Sequence, residues 1–269
     1  MDGGLVDAYL RRLGVTGAAP SPQFLARLHA AHVERATYTN LQIIRSAPVG
    51  IEPVEAAREI VEGRHGYCFQ LNSAFAWLLE ALGFTVTLHS GLVPHVPKYG
   101  QDSPALTHLT ILVHDLDGTW FVDVGLGDGM SEPLPLRAGS YRQGPFEYRL
   151  EPTPTVDGWR FVHDPRGSFA YMQFSTAPVG LADFYPAHRQ LSGAAGSPYK
   201  KYLLAQSRRP DRVETMRGCV FTVLGADGPT RRVIDDPESW RATLVELGLA
   251  DDGLLDLWPD ARAASLHLW

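Results

Sequence analysis

The chain has 269 residues, 45% hydrophobic and 20% charged, a balance that lets one folded chain bury a sizeable core without disulfides or metals. Its formal net charge of −6 argues against sequence-independent nucleic-acid binding, which needs many Lys and Arg on phosphates. No run of about 18 uncharged apolar residues predicts a membrane span, and Met1-Asp2-Gly3-Gly4 lacks the basic stretch and apolar run of a secretory signal.

The first eighty-odd residues read as helical. Leu5, Val6, Tyr9, Leu10 and Leu13 recur at helical spacing. Ser21-Pro22 reads as an N-cap followed by Pro at the first helical position, and the helix carries Phe24, Leu25, Leu28, Ala31 and His32. Pro53 opens another helix that stops at Gly63. A further helix begins near Tyr67, carries Cys68, Leu71, Phe75, Leu78, Leu79 and Leu82, and ends at Gly83 as a C′ residue. Strands follow over 85–93, 108–114 and 120–124, with Asp117-Gly118 as the hairpin turn between the last two. Shorter strand-like runs at 146–151, 159–163 and 170–175, punctuated by Gly and Pro, suggest a barrel or sandwich. A mixed region closes the chain: a short helix over 181–184, strands over 202–205 and 219–223, a turn at 226–228, and a helix over 237–247. No long linker separates these regions, so they are expected to share interfaces.

Chemistry concentrates in the stretch from Arg64 to Asn72. Gly63 and Gly66 precede Cys68, which falls in the first turn of its helix. Unsatisfied N–H groups and the helix dipole favour a thiolate there, and the thiolate is the nucleophile. The alternative is a buried, inert thiol, the usual fate of a free cysteine. Cys219, the other cysteine, lies in a strand-like run; with no CxxC pair, the two thiols are expected to be reduced, in a cytoplasmic location, with no zinc site. A cysteine nucleophile needs a base, and the base needs an orienting group. His108 heads an apolar strand and Asp123 sits inside Phe121-Val122-Asp123-Val124 on the next. A carboxylate among apolar residues is costly to bury unless paired. A turn at Asp117-Gly118 would pair Leu116 with Thr119, and contact between His108 and Asp123 would then need a bulge or bend. His89, His95 and His114 are rival bases. Gly125-Leu126-Gly127-Asp128-Gly129 follows directly; its glycines allow close backbone approach to a ligand, or simply a flexible turn. It is not a GxGxxG fingerprint, which excludes a dinucleotide fold.

These segments, in this order, resemble the arylamine N-acetyltransferase family. Arg64-His65-Gly66-Tyr67-Cys68-Phe69-Gln70-Leu71-Asn72 is similar to its Arg-Gly-Gly-Tyr-Cys-Phe-Glu-x-Asn motif, His108 to Val113 to its catalytic-His strand, and Val122-Asp123-Val124-Gly125-Leu126-Gly127 to its Val-Asp-Val-Gly-Phe-Gly segment. Thr39-Asn40-Leu41 sits at the family's Phe-Glu-Asn-Leu, and Ser197-Pro198-Tyr199 resembles its Ser-Pro-Phe. The resemblance spans about Leu5 to Leu249. It implies an α+β fold with an N-terminal helical bundle (1–84), a central β-barrel (85–190) and a C-terminal α/β lid (191–269). It also implies ping-pong transfer of an acyl group from acetyl-coenzyme A (acetyl-CoA), through Cys68 with His108 and Asp123, to an arylamine, arylhydroxylamine or hydrazine, without a metal. The loop Gly125, Leu126, Gly127, Asp128 and Gly129 would lie by the cofactor; Tyr38, Tyr67, Phe69 and Leu126 would line the substrate pocket.

His65, Gln70, Tyr38, Thr39 and Leu126 depart from the family pattern, which bears on the acceptor and on the acyl group. An alternative with the same thioester chemistry is an amide synthase that takes a larger acyl chain from an acyl carrier protein, and Leu126 for Phe would suit a roomier pocket. A papain-like hydrolase would share the triad, but Cys68 lacks the Cys-Gly-Ser-Cys-Trp context. An intact Cys-His-Asp set argues against a non-catalytic binding protein.

Overall fold

The computed structural model describes residues 3–94, 107–153 and 157–265. Five helices come first: α1 (Gly3–Leu13), α2 (Pro22–Arg35), α3 (Leu41–Ile44), α4 (Pro53–Val61) and α5 (Cys68–Ala81). Ser21 caps α2, its Oγ accepting from Phe24 N–H at 3.2 Å. Helix α5 is apolar on nearly every side, and Cys68 to Ala76 is buried without interruption. A helix of that composition belongs in the interior. It packs against α4 and against the strands that follow. Gly83 takes the left-handed conformation (φ +91°) and ends the helix as its spacing predicts.

Strands β1 (Tyr38–Thr39), β2 (Thr85–Leu92), β3 (His108–His114), β4 (Trp120–Val122), β5 (Leu134–Pro135), β6 (Gly139–Gln143), β7 (Phe146–Pro152), β8 (Gly158–Val162), β9 (Tyr171–Pro178), β10 (Leu204–Arg208), β11 (Val213–Arg217), β12 (Val220–Gly225) and β13 (Gly228–Val233) form two sheets. The larger is a nearly closed, barrel-like sheet of eight strands in the order β5-β4-β3-β2-β9-β8-β7-β6. The smaller runs β1-β10-β11-β12-β13. Helices α6 (Tyr185–Gly193), α7 (Pro237–Glu246) and α8 (Trp258–Ser265) complete the chain.

The segments join through their cores. Leu71, Phe75 and Leu78 of α5 share one cluster with Ile111, Val113 and Val122 of the large sheet. Strand β1 lies between α2 and α3 in sequence, yet pairs with β10, Tyr38 opposite Gln206. Arg208 of β10 is buried, donates from Nε to Gly129 O at 2.9 Å and lies 4.3 Å from the Phe146 ring centroid. The expectation of shared interfaces holds.

Several boundaries differ from the sequence reading. The strand expected over 202–205 begins at Leu204 and extends to Arg208. The expected 120–124 strand ends at Val122, because Asp123 turns its carboxylate to other partners. The hairpin register is corrected as well. Val113 pairs with Trp120 and Leu112 with Phe121, so residues 115–118 form the connection instead of Asp117-Gly118 alone. Asp115 and Asp117 both adopt positive φ, and the Leu116 side chain turns into the helical core.

Candidate active site

The corrected register brings His108 and Asp123 together without a bulge. Continuing it by one residue sets Asp123 opposite Thr110, so His108 is its diagonal neighbour on the same face. His108 Nε2 lies 2.6 Å from Asp123 Oδ2. With Nε2 committed to the carboxylate, Nδ1 is the nitrogen left for Cys68. Gly91 of β2 lies opposite His108, and a Cβ there would stand 3.2 Å from His108 Cβ, so this glycine leaves room for the ring.

Asp123 is 1% exposed. Its other oxygen, Oδ1, accepts from Asn72 Nδ2 and from Gly125 N–H, each at 2.9 Å. Asn72 stands one helical turn after Cys68 on α5. Its Nδ2 also donates to Leu109 O at 2.6 Å, and its Oδ1 accepts from Val124 N–H at 2.9 Å. One amide therefore ties the Cys68 helix to β3 and to the segment that follows β4. The sequence motif contains Asn72 but gave it no role; its i+4 spacing from Cys68 was the available signal. Behind Asp123, His29 of α2 reaches its backbone carbonyl at 3.1 Å and the Ser131 carbonyl at 3.1 Å. Burial holds His29 down to about 4.

Burial alone would lower the pKa of His108. The Asp123 charge and hydrogen bond, with Cys68, outweigh it and raise the value from 6.5 to about 10. The imidazole is therefore protonated at neutral pH. Of the rival bases, His89 and His114 both bond Thr87 Oγ1 at 2.7 Å, away from Cys68; His95 lies outside the described residues.

Cys68 and His108 open on a cavity of about 240 Å³. Tyr38, Gly125, Leu126, Ser168, Phe169 and Tyr199 are among its lining residues. Gly125 passes so close to α5 that an added Cβ would stand 2.7 Å from Cys68 Cα. Gly127 needs its left-handed backbone (φ +70°). The rest of this loop faces away from the cavity. The Asp128 carboxylate accepts from Ser168 N–H at 2.6 Å and Ser168 Oγ at 2.8 Å and lies 3.6 Å from His163 Nε2. Burial opposes that charge, but His163 and Ser168 hold the Asp128 pKa below its usual range. Gly127 and Gly129 do not line the cavity either.

Tyr67 and Phe69 are fully buried behind Cys68. Tyr67 Oη bonds His188 Nδ1 at 2.7 Å, and Phe69 packs on Phe184 at 5.6 Å. They support the Cys68 turn and are absent from the cavity wall. Cys219 is buried in another core, and burial raises its pKa.

The departures at His65 and Gln70 have structural reasons. His65 occupies positive φ (+51°), a conformation suited to the glycine it replaces. Its Nδ1 accepts from Thr37 N–H at 3.0 Å. Burial, then Arg12, lower it to about 3, so the ring stays neutral. Gln70 Oε1 accepts from Tyr67 N–H at 3.1 Å while its Nε2 donates to Val49 O at 2.8 Å. A glutamate could make only the first of these bonds. Neither residue lines the cavity.

A family model described as N-acetyltransferase matches residues 23–247. The arylamine N-acetyltransferase of Mycolicibacterium smegmatis is 37% identical over 220 residues, 78% of each chain. The chain belongs to the arylamine N-acetyltransferase family. It is an acyltransferase. Proansamycin X synthase of Amycolatopsis mediterranei is 31% identical over 278 residues, covering 92% of this chain and 98% of the synthase. The fold matches Mycobacterium marinum arylamine N-acetyltransferase, solved in complex with CoA, with a TM-score of 0.83 at 24% identity, over 96% of this chain and 97% of that one. Among the described residues no helix is long and apolar enough to cross a membrane, and no group of three His, Cys, Asp or Glu side chains could hold a metal ion.

The raised value of His108 has a consequence for stability. A base held above its unfolded value stabilises the fold fully below that value, here 6.5, and the contribution is lost as pH rises through about 10. Asp123→Asn removes the buried charge and should cost on the order of 3 kcal/mol near neutral pH. The difference in unfolding free energy between wild type and variant, followed by urea denaturation across this pH range, should shrink steadily as the pH rises. A difference independent of pH would refute the assignment of the raised value to Asp123.

Proposed function

We propose that this acyltransferase moves an acetyl or other short acyl group from coenzyme A to an arylamine, arylhydroxylamine or hydrazine through a thioester on Cys68. The bond between His108 Nε2 and Asp123 Oδ2, beside a cysteine that opens on a cavity, carries this reading. The reading makes Asp123 the orienting carboxylate, His108 the proton carrier and Cys68 the nucleophile. Cys68 Sγ, its proton already on His108, attacks the acyl carbonyl carbon. The carbon–sulfur bond to coenzyme A breaks, and the leaving thiolate takes the proton. The amine then attacks the thioester carbon, and its proton passes to His108 as the carbon–Sγ bond breaks, which restores the starting state.

The M. marinum relative's complex with CoA favours coenzyme A as the carrier of the acyl group. Gly125 and Leu126 would border the acyl group, and Tyr38 the amine. We read residues 1–84 as a helical unit that presents Cys68, 85–190 as the barrel that presents His108 and Asp123, and 191–269 as a lid over the cavity. A cytoplasmic setting with reduced thiols fits this chemistry.

The likeness to proansamycin X synthase keeps an amide-synthase reading, with a longer acyl chain from a carrier protein, as the second possibility. Intact mass after mixing with acetyl-CoA separates the two. A mass increase of one acetyl group on Cys68, absent in Cys68→Ala and discharged by an aromatic amine, is the expected result. Labelling of Cys219, or no adduct from any short acyl-CoA, would overturn the first reading.

Leu126 adds a finer expectation. It lines the cavity where the family pattern has Phe. Each additional methylene that a ligand buries is worth about 0.8 kcal/mol, roughly fourfold in affinity. Propionyl-CoA should therefore serve at least as well as acetyl-CoA, and Leu126→Phe should shift the ratio of kcat/KM back toward acetyl. An unchanged ratio would mean that Leu126 does not border the acyl group.

A further inference from the structure

Tyr38 and Tyr199 reach the Cys68 cavity from separate elements, β1 and the helical turn Pro198–Lys200. Their hydroxyls lie 3.1 Å apart. Both residues are fixed from behind. Tyr38 pairs with Gln206 across the small sheet. Tyr199 N–H donates to Ser197 Oγ at 3.1 Å, its carbonyl accepts from Asn40 Nδ2 at 2.8 Å, and its ring lies 5.1 Å from that of Tyr67. The pair is thus built into the wall.

Two phenols carry two hydroxyl hydrogens, and the bond between them uses one. The other has no partner among the described residues. Two other polar residues on the wall, Asn40 and Ser168, are committed. Asn40 donates to the carbonyls of Tyr199 and Tyr202 and accepts from Leu204 N–H. The Ser168 hydroxyl donates to Asp128. Burial, then the neighbouring phenol and Cys68, hold Tyr38 well above the ordinary tyrosine value; burial and Cys68 raise Tyr199 too. Both hydroxyls keep their protons at neutral pH, so the pair presents one free donor to the cavity.

Phenylalanine would fill the same wall without that donor, and it is the residue of the family pattern in the Phe-Glu-Asn-Leu and Ser-Pro-Phe segments that these positions resemble. Acyl loading as proposed above uses Cys68 Sγ and His108 and calls on neither hydroxyl. The hydroxyls therefore bear on the partner that differs, the amine. We propose that the Tyr38–Tyr199 hydroxyl pair is a specificity-determining donor that selects aromatic amines carrying an oxygen substituent able to accept a hydrogen bond. This inference rests on the ping-pong reading above.

Methoxyanilines and the methylanilines of the same substitution pattern are matched probes, alike in shape but differing in the acceptor oxygen. In a ping-pong scheme kcat/KM for the amine reports only the second half-reaction, so changes in acyl loading cancel from the methoxy-to-methyl ratio. Wild type should favour the methoxy compound at the meta or para position, and the double variant Tyr38→Phe/Tyr199→Phe should lower that ratio about threefold to tenfold, the loss expected for one neutral hydrogen bond. Calorimetric titration of the same amines into Cys68→Ala protein should give the same preference without turnover. A ratio equal in wild type and double variant, by kinetics or by calorimetry, overturns the proposal. Failure of wild type to form an acyl-enzyme overturns the underlying function instead, and the mass measurement detects that separately.

Discussion

The buried carboxylate of Asp123 is the constraint on which the rest of the site depends. A carboxylate taken out of water must be met by donors or it unfolds its surroundings. Here the donors come from three places: His108 on β3, Asn72 on α5, and the backbone N–H of Gly125 beyond β4. Satisfying one charge therefore requires the helices and the large sheet to be docked in a single arrangement. That arrangement is the one that sets Cys68 beside His108. Stability and chemistry share the same bonds.

The glycines around this charge serve close approach. Gly91 admits the His108 ring, and Gly125 lets the chain pass over Cys68. In the Gly-rich segment two of the five N–H groups are bonded within the protein, Gly125 to Asp123 and Asp128 to Leu126 O. Only its first two residues line the cavity. Gly125 is the joint between Cys68 and the Asp123 carboxylate.

Much of this was legible in the sequence where local rules decide. Pro22, Pro53 and Gly83 mark helix ends in the structure as their chemistry requires. The apolar run from His108 to His114 is a strand with those limits. The hairpin register was not legible, because Asp117-Gly118 signals a tight turn while the pull of Leu116 into the core widens it. The pairing of β1 with β10 joins residues more than 160 positions apart, which no local pattern encodes. Tyr67 and Phe69 flank Cys68 in sequence, but the helix turns their rings into the core. Tyr199 enters the cavity from a distant turn and meets Tyr38 only in the fold.

Asp123 holds His108 as an imidazolium with Nε2 on the carboxylate and Nδ1 toward Cys68. Nitrogen-15 NMR of histidine-labelled protein reads both ring nitrogens directly. Two protonated nitrogens are expected on His108 at neutral pH, titrating only as the pH approaches about 10 in wild type, with a marked fall of that value in Asp123→Asn. A His108 that is neutral at pH 7 in wild type, or one whose titration is the same in both proteins, would contradict it.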